Sequence, residues 1–281
     1  MLTMDQKHRL SGWFTSLQDQ IFKELEAIEK ENGTPTFSIR KSWKRGENLA
    51  IDEGGGTMGL IKGEVFEKGG ANVSMVYGAF SEAFKKEIPG AVANPHFWAN
   101  GLSLVIHPKN PYVPIVHMNT RCIETTKFWF GGGADLTPIF PFEEDTAYFH
   151  ECMKEACDPI DESYYDRFKK ECDEYFYLPH RKEPRGVGGI FYDYLNTDDF
   201  EKDFAFTQAV GRAFIKAYPE IVRRRFKMPY GEEEISKQLV KRARYVEFNL
   251  IYDRGTRFGF MTGGNTEAIL MSMPPYASWA T

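Results

Sequence analysis

The order of apolar and polar positions predicts a long helix at the start of the chain. Between residues 6 and 30, apolar side chains recur every three or four positions, which is the period of one helix face. Asn32 and Gly33 follow directly and predict the end of that helix.

The remaining chain predicts short strands with helices before and after them. Strand-like runs joined by glycine turns such as 54–56 occupy 60–61, 64–66, 101–107, 113–123, 128–130, 189–195, 245–252 and 257–262. The four residues 253–256 predict a hairpin turn between the last two runs. Helical runs occupy 80–87, 143–157, 163–178, 198–225 and 232–244, and Pro219 interrupts or restarts the fourth. Without regular βα alternation, this order predicts an α+β fold with an antiparallel sheet, in a single domain over 1–281.

Composition and charge narrow the possible partners. The 281 residues carry a net charge of −5, so there is no basic excess to hold nucleic acid or an anionic membrane. No apolar run approaches the roughly 18 residues that would predict a membrane span. Four cysteines without a C-x-x-C pair fit a reducing compartment, so a cytoplasmic protein is expected. An aromatic content of 15% fits a sheet-rich core or a pocket for a flat ligand.

One predicted strand, 113–123, carries a row of polar side chains that could take part in binding or catalysis. Ile115, His117, Asn119 and Arg121 fall on one face, because side chains alternate along a strand. An imidazole that titrates near neutral pH, an amide, and a guanidinium that grips carboxylates suit an anionic substrate that needs proton transfer. A half-exposed edge strand with its polar face in solvent explains the same pattern equally well.

Two further segments contain candidate residues. On strand 101–107, Ser103 and His107 share one face with Val105. Asp135 follows three glycines and is expected in a loop, either as a turn former that bonds its own backbone or as a functional acid. Glycines at 54–56 and 186–189 lack the spacing of nucleotide-binding loops, so nucleotide binding is not predicted.

Eight blocks in a fixed order connect the chain to a known family. They are 65–68 (VFEK), 101–108 (GLSLVIHP), 116–121 (VHMNTR), 129–138 (WFGGGADLTP), 175–181 (YFYLPHR), 185–191 (RGVGGIF), 246–255 (VEFNLIYDRG) and 269–274 (ILMSMP). Together they resemble the oxygen-dependent coproporphyrinogen-III oxidase family over nearly the whole chain. The resemblance implies a large flat antiparallel sheet flanked by helices on both sides. It also implies that O2 is the oxidant that converts two propionate arms of coproporphyrinogen III to vinyl groups.

The resemblance also implies roles for individual residues. His117, Asp135 and Arg121 would be catalytic, with His117 as proton donor and Asp135 as an acid that accepts from pyrrole N–H groups. The implied substrate contacts are Ser103, Asn119, Thr120, Arg121, Arg185, Gly263, Gly264 and Asn265. At Asn265 the sequence departs from the family, which usually has an arginine there.

The cofactors and partners implied by the resemblance are few. No organic cofactor is expected, and O2 is the co-substrate. Bacterial-type members have been assigned a divalent metal at four histidines, which match His107, His117, His150 and His180. A homodimer is expected, formed through predicted C-terminal strands within 245–262.

Two other functions fit parts of the sequence. A non-catalytic tetrapyrrole-binding protein would retain the pocket, and Asn265 in place of arginine is the one feature in its favour. A metal-dependent oxygenase would use the four histidines. The intact catalytic residues His117, Arg121 and Asp135 favour the oxidase.

Overall fold

A computed structural model describes residues 1–35, 37–46 and 52–280. Its helices are α1 (Met4–Glu31), α2 (Glu143–Cys157), α3 (Tyr164–Tyr175), α4 (Phe200–Arg225), α5 (Glu232–Ile251), α6 (Arg254–Met261) and α7 (Thr266–Leu270), with a 3-10 turn at Phe84–Glu87. Its strands are β1 (Phe37–Lys44), β2 (Gly54–Lys62), β3 (Phe66–Ala79), β4 (His96–Pro108), β5 (Ile115–Glu124), β6 (Phe128–Thr137), β7 (Tyr177–Leu178), β8 (Glu183–Pro184) and β9 (Gly188–Leu195).

Seven of the strands form one antiparallel sheet in the order β1-β2-β3-β4-β5-β6-β9. Strands β7 and β8 pair separately as a short ribbon. Nearly every connection in the large sheet joins neighbours, and only β9 is reached across helices α2 and α3. The predicted α+β class and the antiparallel sheet are confirmed.

The sheet has an apolar face that packs against helices α1 to α4. Leu102, Leu104 and Ile106 of β4 point to this side, as do Met118 of β5 and Ala134 of β6. Helix α1 contributes its predicted apolar stripe to the same core. Because side chains alternate along a strand, the residues between them must point to the opposite face.

Helices α5 to α7 lie over that opposite face. The ring of Tyr245 in α5 meets His107 of β4 edge-on at 5.3 Å between centroids. Asn72 of β3 donates to the carbonyl of Ala268 in α7, at 2.5 Å. Helices therefore flank the sheet on both sides, as expected.

The predicted C-terminal strands 245–252 and 257–262 are wrong. The first is the end of α5 and the second lies in α6. Tyr245, Phe248 and Asn249 are buried at helical spacing, so packing selects a helix despite β-like composition. The predicted hairpin turn is the start of α6, where the Asp253 side chain accepts from the backbone N–H groups of Gly255 and Thr256. Residues 245–262 therefore offer no strands through which a dimer could form as predicted.

The structure also differs from several smaller predictions. The 54–56 glycines lie inside β2 and not in a turn, and β1 had no sequence prediction. Helix α3 ends at Tyr175, before the predicted 178, whereas α4 runs through Pro219 without a break. In the described ranges no helix has the length and apolar character needed to cross a bilayer.

Candidate functional site

A cavity of about 390 Å³ lies between the polar face of the sheet and helices α5 to α7. This volume is in the range of small-molecule sites. Its apolar wall includes aliphatic side chains and eight aromatic residues, which are Trp43, Phe84, Trp129, Tyr175, Phe176, Phe191, Tyr194 and Phe258. A flat or apolar ligand body would find suitable surface here.

The predicted polar row of β5 borders this cavity. His117, Asn119 and Arg121 all line it, and they are connected by hydrogen bonds. The amide nitrogen of Asn119 lies 3.1 Å from His117 Nε2, and Arg121 Nη1 donates to Asn119 Oδ1 at 3.0 Å. The prediction of one shared face is confirmed, and the row lies on a central strand and borders a partly open cavity.

The hydrogen bonds fix which nitrogen of His117 carries its proton. Arg121 can only donate, so Asn119 must turn its oxygen toward Arg121 and its NH2 group toward His117. His117 Nε2 then accepts, and Nδ1–H donates to Asp135 Oδ1 at 2.9 Å. The network therefore assigns the Nδ1–H tautomer, with the Nε2 lone pair directed at the Asn119 amide on the cavity wall.

Asp135 lies behind His117 and outside the cavity wall. It belongs to β6, directly opposite His117 in the register, so the predicted loop position and turn-former role are wrong. Its side chain is 2% exposed, and Arg185 Nη2 donates to both carboxylate oxygens, at 2.9 and 2.8 Å. Burial by itself would raise the pKa of Asp135, but the Arg185 charge and the His117 hydrogen bond hold it below its usual value.

Arg185 is committed to this buried pair. It is 1% exposed and its guanidinium stacks against the rings of Phe176, Tyr245 and Phe248, at 4.0 to 4.7 Å. Its Nη1 donates to Asn249 Oδ1. The arginine therefore neutralises Asp135. It also borders the cavity, so its predicted contact with substrate stays a prediction.

Other arginines, which the sequence interpretation missed, reach the cavity. Arg254 and Arg257 line it from α6, beside Arg121 of β5. Arg254 stacks over the ring of Tyr175 at 4.8 Å. The Asp253-Arg254-Gly255 segment looked like a hairpin turn, so its cations were not considered. An acidic ligand with several carboxylates would meet three guanidinium groups here.

The remaining predicted contacts divide into two groups. Ser103 is exposed and lines the cavity, as do Gly264 and Asn265. Asn265 is already engaged, because its side chain accepts from the Ala268 N–H and caps α7. Thr120 also borders the cavity, but it is completely buried and alternates with Asn119 and Arg121 on β5, so its side chain points to the other face of the sheet.

The four histidines proposed as metal ligands are not brought together. His117 is held by Asp135 and Asn119, while Nε2 of the fully buried His107 donates to the Ser272 carbonyl. The other two also use both ring nitrogens. His150 bonds the Val187 carbonyl and the Tyr165 hydroxyl, and His180 bonds Glu247 and the Tyr252 hydroxyl. Among the residues that the structure describes, no group of three His, Cys, Asp or Glu side chains could hold a metal ion.

Glycines of β6 bring the sheet close to the polar row. A Cβ at Gly131 would lie 2.8 Å from Arg121 Nη2 and 2.9 Å from Asp193 Oδ1. A Cβ at Gly132 would lie 2.5 Å from the Asn119 carbonyl oxygen. Gly131 therefore leaves the space in which Arg121 and Asp193 meet, and Gly132 leaves room for the backbone of β5.

Comparisons with known proteins agree with this arrangement. The family model described as Coproporphyrinogen III oxidase matches residues 9–281. An oxygen-dependent coproporphyrinogen-III oxidase of Rickettsia bellii (strain OSU 85-389) is 57% identical over 284 residues, covering 99% of this chain and 100% of that protein. A protein of the same name from Rickettsia africae (strain ESF-5) is 56% identical over 279 residues, covering 98% of each chain.

Proposed function

The chain belongs to the coproporphyrinogen III oxidase family, and we infer from this and from the cavity that it oxidatively decarboxylates coproporphyrinogen III with O2. The observation that carries the inference is the row His117–Asn119–Arg121 on the wall of an aromatic cavity. Such a wall offers rings to a tetrapyrrole body, guanidinium groups to its carboxylates, and a base to its protons. The product is protoporphyrinogen IX, an intermediate of haem biosynthesis.

Each reacting arm loses carbon dioxide and two hydrogens. A propionic acid arm, –CH2–CH2–COOH, reacts with one O2 to give a vinyl group, CO2 and H2O2. The C–C bond to the carboxyl group breaks, the arm is oxidised by two electrons, and O2 is reduced to peroxide. Two arms therefore consume two O2 and release two CO2 and two H2O2.

The side chains around His117 suit the proton transfers of this reaction. Once the Asn119 amide releases it, the unprotonated His117 Nε2 would accept a proton from the electron-rich pyrrole system and return it at a later step. Asp135 would act through His117, because its carboxylate fixes the ring and stabilises the imidazolium without touching the cavity. Arg121 would hold a propionate, since its guanidinium borders the cavity and has five N–H groups, more than its contacts with Asn119 and Asp193 require.

The metal implied by sequence resemblance does not fit the described side chains. The ring nitrogens of His117, His150 and His180 are already used in pairs by protein partners, and His107 lies fully buried beneath α5. O2 acts as oxidant, and an organic cofactor has no part in the proposed sequence.

We also propose a homodimer and a reducing compartment. Helix α6 has no buried residue, and large apolar side chains are exposed near it. Leu250, Ile251, Phe260 and Met261 are each between 44% and 60% exposed, which favours burial against a second copy. The four cysteines are buried free thiols, as expected in the cytoplasm. A monomer in sedimentation equilibrium would contradict the dimer.

The decisive experiment incubates the purified protein with coproporphyrinogen III under air and under argon, with no added cofactor. Chromatography should show protoporphyrinogen IX only under air, with equal amounts of O2 consumed and of CO2 and H2O2 released. Tight binding without conversion under air would favour a tetrapyrrole carrier. A second arm with a chelator tests whether a metal is required.

A further inference from the structure

An irregularity in β9 places two consecutive residues at the cavity. Phe130 of β6 pairs with Leu195, but Gly132 pairs with Tyr192, so Asp193 and Tyr194 together oppose the single residue Gly131. This is a β-bulge, which bends a strand and redirects its side chains. Both bulge residues line the cavity, while Leu195 returns to the apolar core.

The bulge is held in an unusual backbone conformation. Tyr194 has φ of 54°, a value that side chains with a Cβ rarely adopt. Such strain persists only where the surroundings hold it, and it is concentrated at functional sites. The Tyr194 N–H donates to Asp193 Oδ1 at 3.0 Å, and its ring contacts Trp129 at 5.6 Å between centroids. The strained backbone at Tyr194 and these contacts therefore fix the position of the Asp193 carboxylate.

The contacts of Asp193 leave part of its carboxylate unused. Oδ1 lies 3.0 Å from Arg121 Nη2 and also receives the Tyr194 N–H. Oδ2 has only a distant ion-pair contact, 3.5 Å from Arg254 Nη2, which is beyond the usual N–H···O range. A carboxylate accepts about four hydrogen bonds, so Oδ2 retains acceptor capacity. Its side chain is 15% exposed on the cavity wall.

A bound tetrapyrrole would bring N–H donors that need such an acceptor. Burying a donor without a partner is costly, so the pyrrole N–H groups require acceptors in the cavity. The other acidic residues on its wall fit poorly. Asp253 already accepts from Tyr175, Gly255 and Thr256, and the Glu87 side chain is 46% exposed beside Arg257. Asp135 lies outside the wall.

We propose that Asp193 contacts the substrate and accepts hydrogen bonds from its pyrrole N–H groups through Oδ2. The inference rests on the proposed function for the identity of the ligand. It gives Asp193 the contact that sequence resemblance assigned to Asp135, and it leaves Asp135 to position His117. The macrocycle would then lie across the wall between Asp193 and His117, with its rings against the aromatic side chains.

Two ligands separate N–H recognition from carboxylate recognition. Coproporphyrinogen III has four pyrrole N–H groups, whereas palladium(II) coproporphyrin III has the same four carboxylates, no N–H group, and a metal that takes no axial ligand. Anaerobic titrations would measure Kd for both ligands with the wild type, Asp193→Asn, and the control Asp158→Asn. Asp158 pairs with Lys154 at the surface, so its variant removes the same charge elsewhere.

Asp193→Asn should weaken porphyrinogen binding about tenfold or more, because hydrogen bonds to charged groups are the strong ones. Palladium coproporphyrin binding should change by less than about twofold, as should both affinities in Asp158→Asn. Equal weakening of both ligands would show that Asp193 acts on the arginines and would overturn the proposal, as would no change in either.

A measurement on the wild type does not depend on the variant folding. Nitrogen-15-labelled coproporphyrinogen III should show a downfield shift of at least one pyrrole N–H proton when bound, and its absence would also overturn the proposal. Turnover is assayed in parallel. Binding without turnover would count against the proposed function, but the Kd values of the Asp193→Asn variant could still be compared with those of the wild type.

Discussion

The two faces of the central sheet use the same strands for opposite purposes. On one face Leu104, Met118 and Ala134 pack with helices α1 to α4 into a continuous apolar core. On the other face, Ser103, His117 and Asn119 line a cavity under helices α5 to α7. The residues of both sets alternate on the same strands.

The comparison shows how a rigid core can position a polar site. A side chain on a central strand has little freedom, because its neighbours are fixed by register and by packing on the reverse side. His117 is directly opposite Asp135 for this reason. We expect substitutions on the apolar face to change stability and substitutions on the cavity face to change chemistry, and the following experiments test that division.

The largest effect is expected from Asp135→Asn, which should change both properties. The variant removes the charge that fixes His117, so kcat should fall by at least about a hundredfold. It also leaves Arg185 as a buried unpaired cation, which costs about 3–5 kcal/mol of stability. Steady-state kinetics and urea unfolding would measure the two effects.

A matched control is available on the opposite face. Asp145 of α2 has a 5% exposed side chain and is paired with Arg224 and Arg225. Asp145→Asn should lower stability while the folded protein keeps its kcat. If kcat fell equally in both variants, the division between the faces would be wrong.

Phe206→Ala tests the apolar face directly. Phe206 of α4 is completely buried beside Phe168 and Tyr192. Its truncation should cost about 3–5 kcal/mol, the range for large-to-small changes in a core. The KM of the folded fraction at low temperature should stay within about twofold. A raised KM with unchanged stability would contradict the prediction.

His107 predicts an acid-sensitive element beneath α5. Burial lowers the pKa of His107 to about 3, and nearby Arg242 and Lys68 add to the shift. The unfolded chain therefore binds this proton first, and stability should fall as the pH drops below about 6.5, by about 2 kcal/mol at pH 5. Urea unfolding from pH 7 to 5 should show a steeper loss in the wild type than in His107→Gln, which retains an N–H donor for Ser272. Equal slopes would exclude His107 as the cause.

The smallest effect is expected from Asn265→Arg. An added guanidinium at the cavity should lower the KM for coproporphyrinogen III or leave it unchanged. Loss of the α7 cap should cost about 0.5–2 kcal/mol. Asn265→Ala removes the cap without adding charge, so the two variants together separate these effects. A large rise in KM in Asn265→Arg alone would show that another group already occupies the space.

The sequence predicted elements best where local pattern and packing agree. Helix α2 has the predicted bounds, and the polar row of β5 lies on one face because strand alternation is a local property. The end of α5 was mistaken for a strand, because Tyr245 and Phe248 are typical of strands. The helical spacing of the buried residues becomes decisive only once the sheet is present for α5 to cover.

The chemistry was predicted less well when it depended on residues distant in sequence. Arg185 was predicted to contact substrate, but its pairing with Asp135, which lies 50 residues earlier, was not predicted because only tertiary structure brings the two together. The glycines before Asp135 suggested a loop, yet they lie in a strand that pairs with β5 throughout and with β9 on either side of the bulge at Gly131. Asp193 had no local signal, since a bulge depends on the register with β6. A search for charged residues on strands that neighbour a glycine-rich strand would have identified Asp193 as a candidate.

The glycines of β6 also limit how this protein can evolve. At Gly131 and Gly132 a side chain would collide with Arg121, Asp193 or the backbone of β5, and at Gly133 it would lie 2.1 Å from the Ile190 carbonyl oxygen. A side chain at Gly132 or Gly133 would meet backbone atoms, and one at Gly131 would displace the ends of Arg121 and Asp193, although none of the three glycines contributes a reactive group. We therefore expect the distance between β5 and β9 to change little during evolution. Residues at the mouth of the cavity should vary more than the strands that form its base.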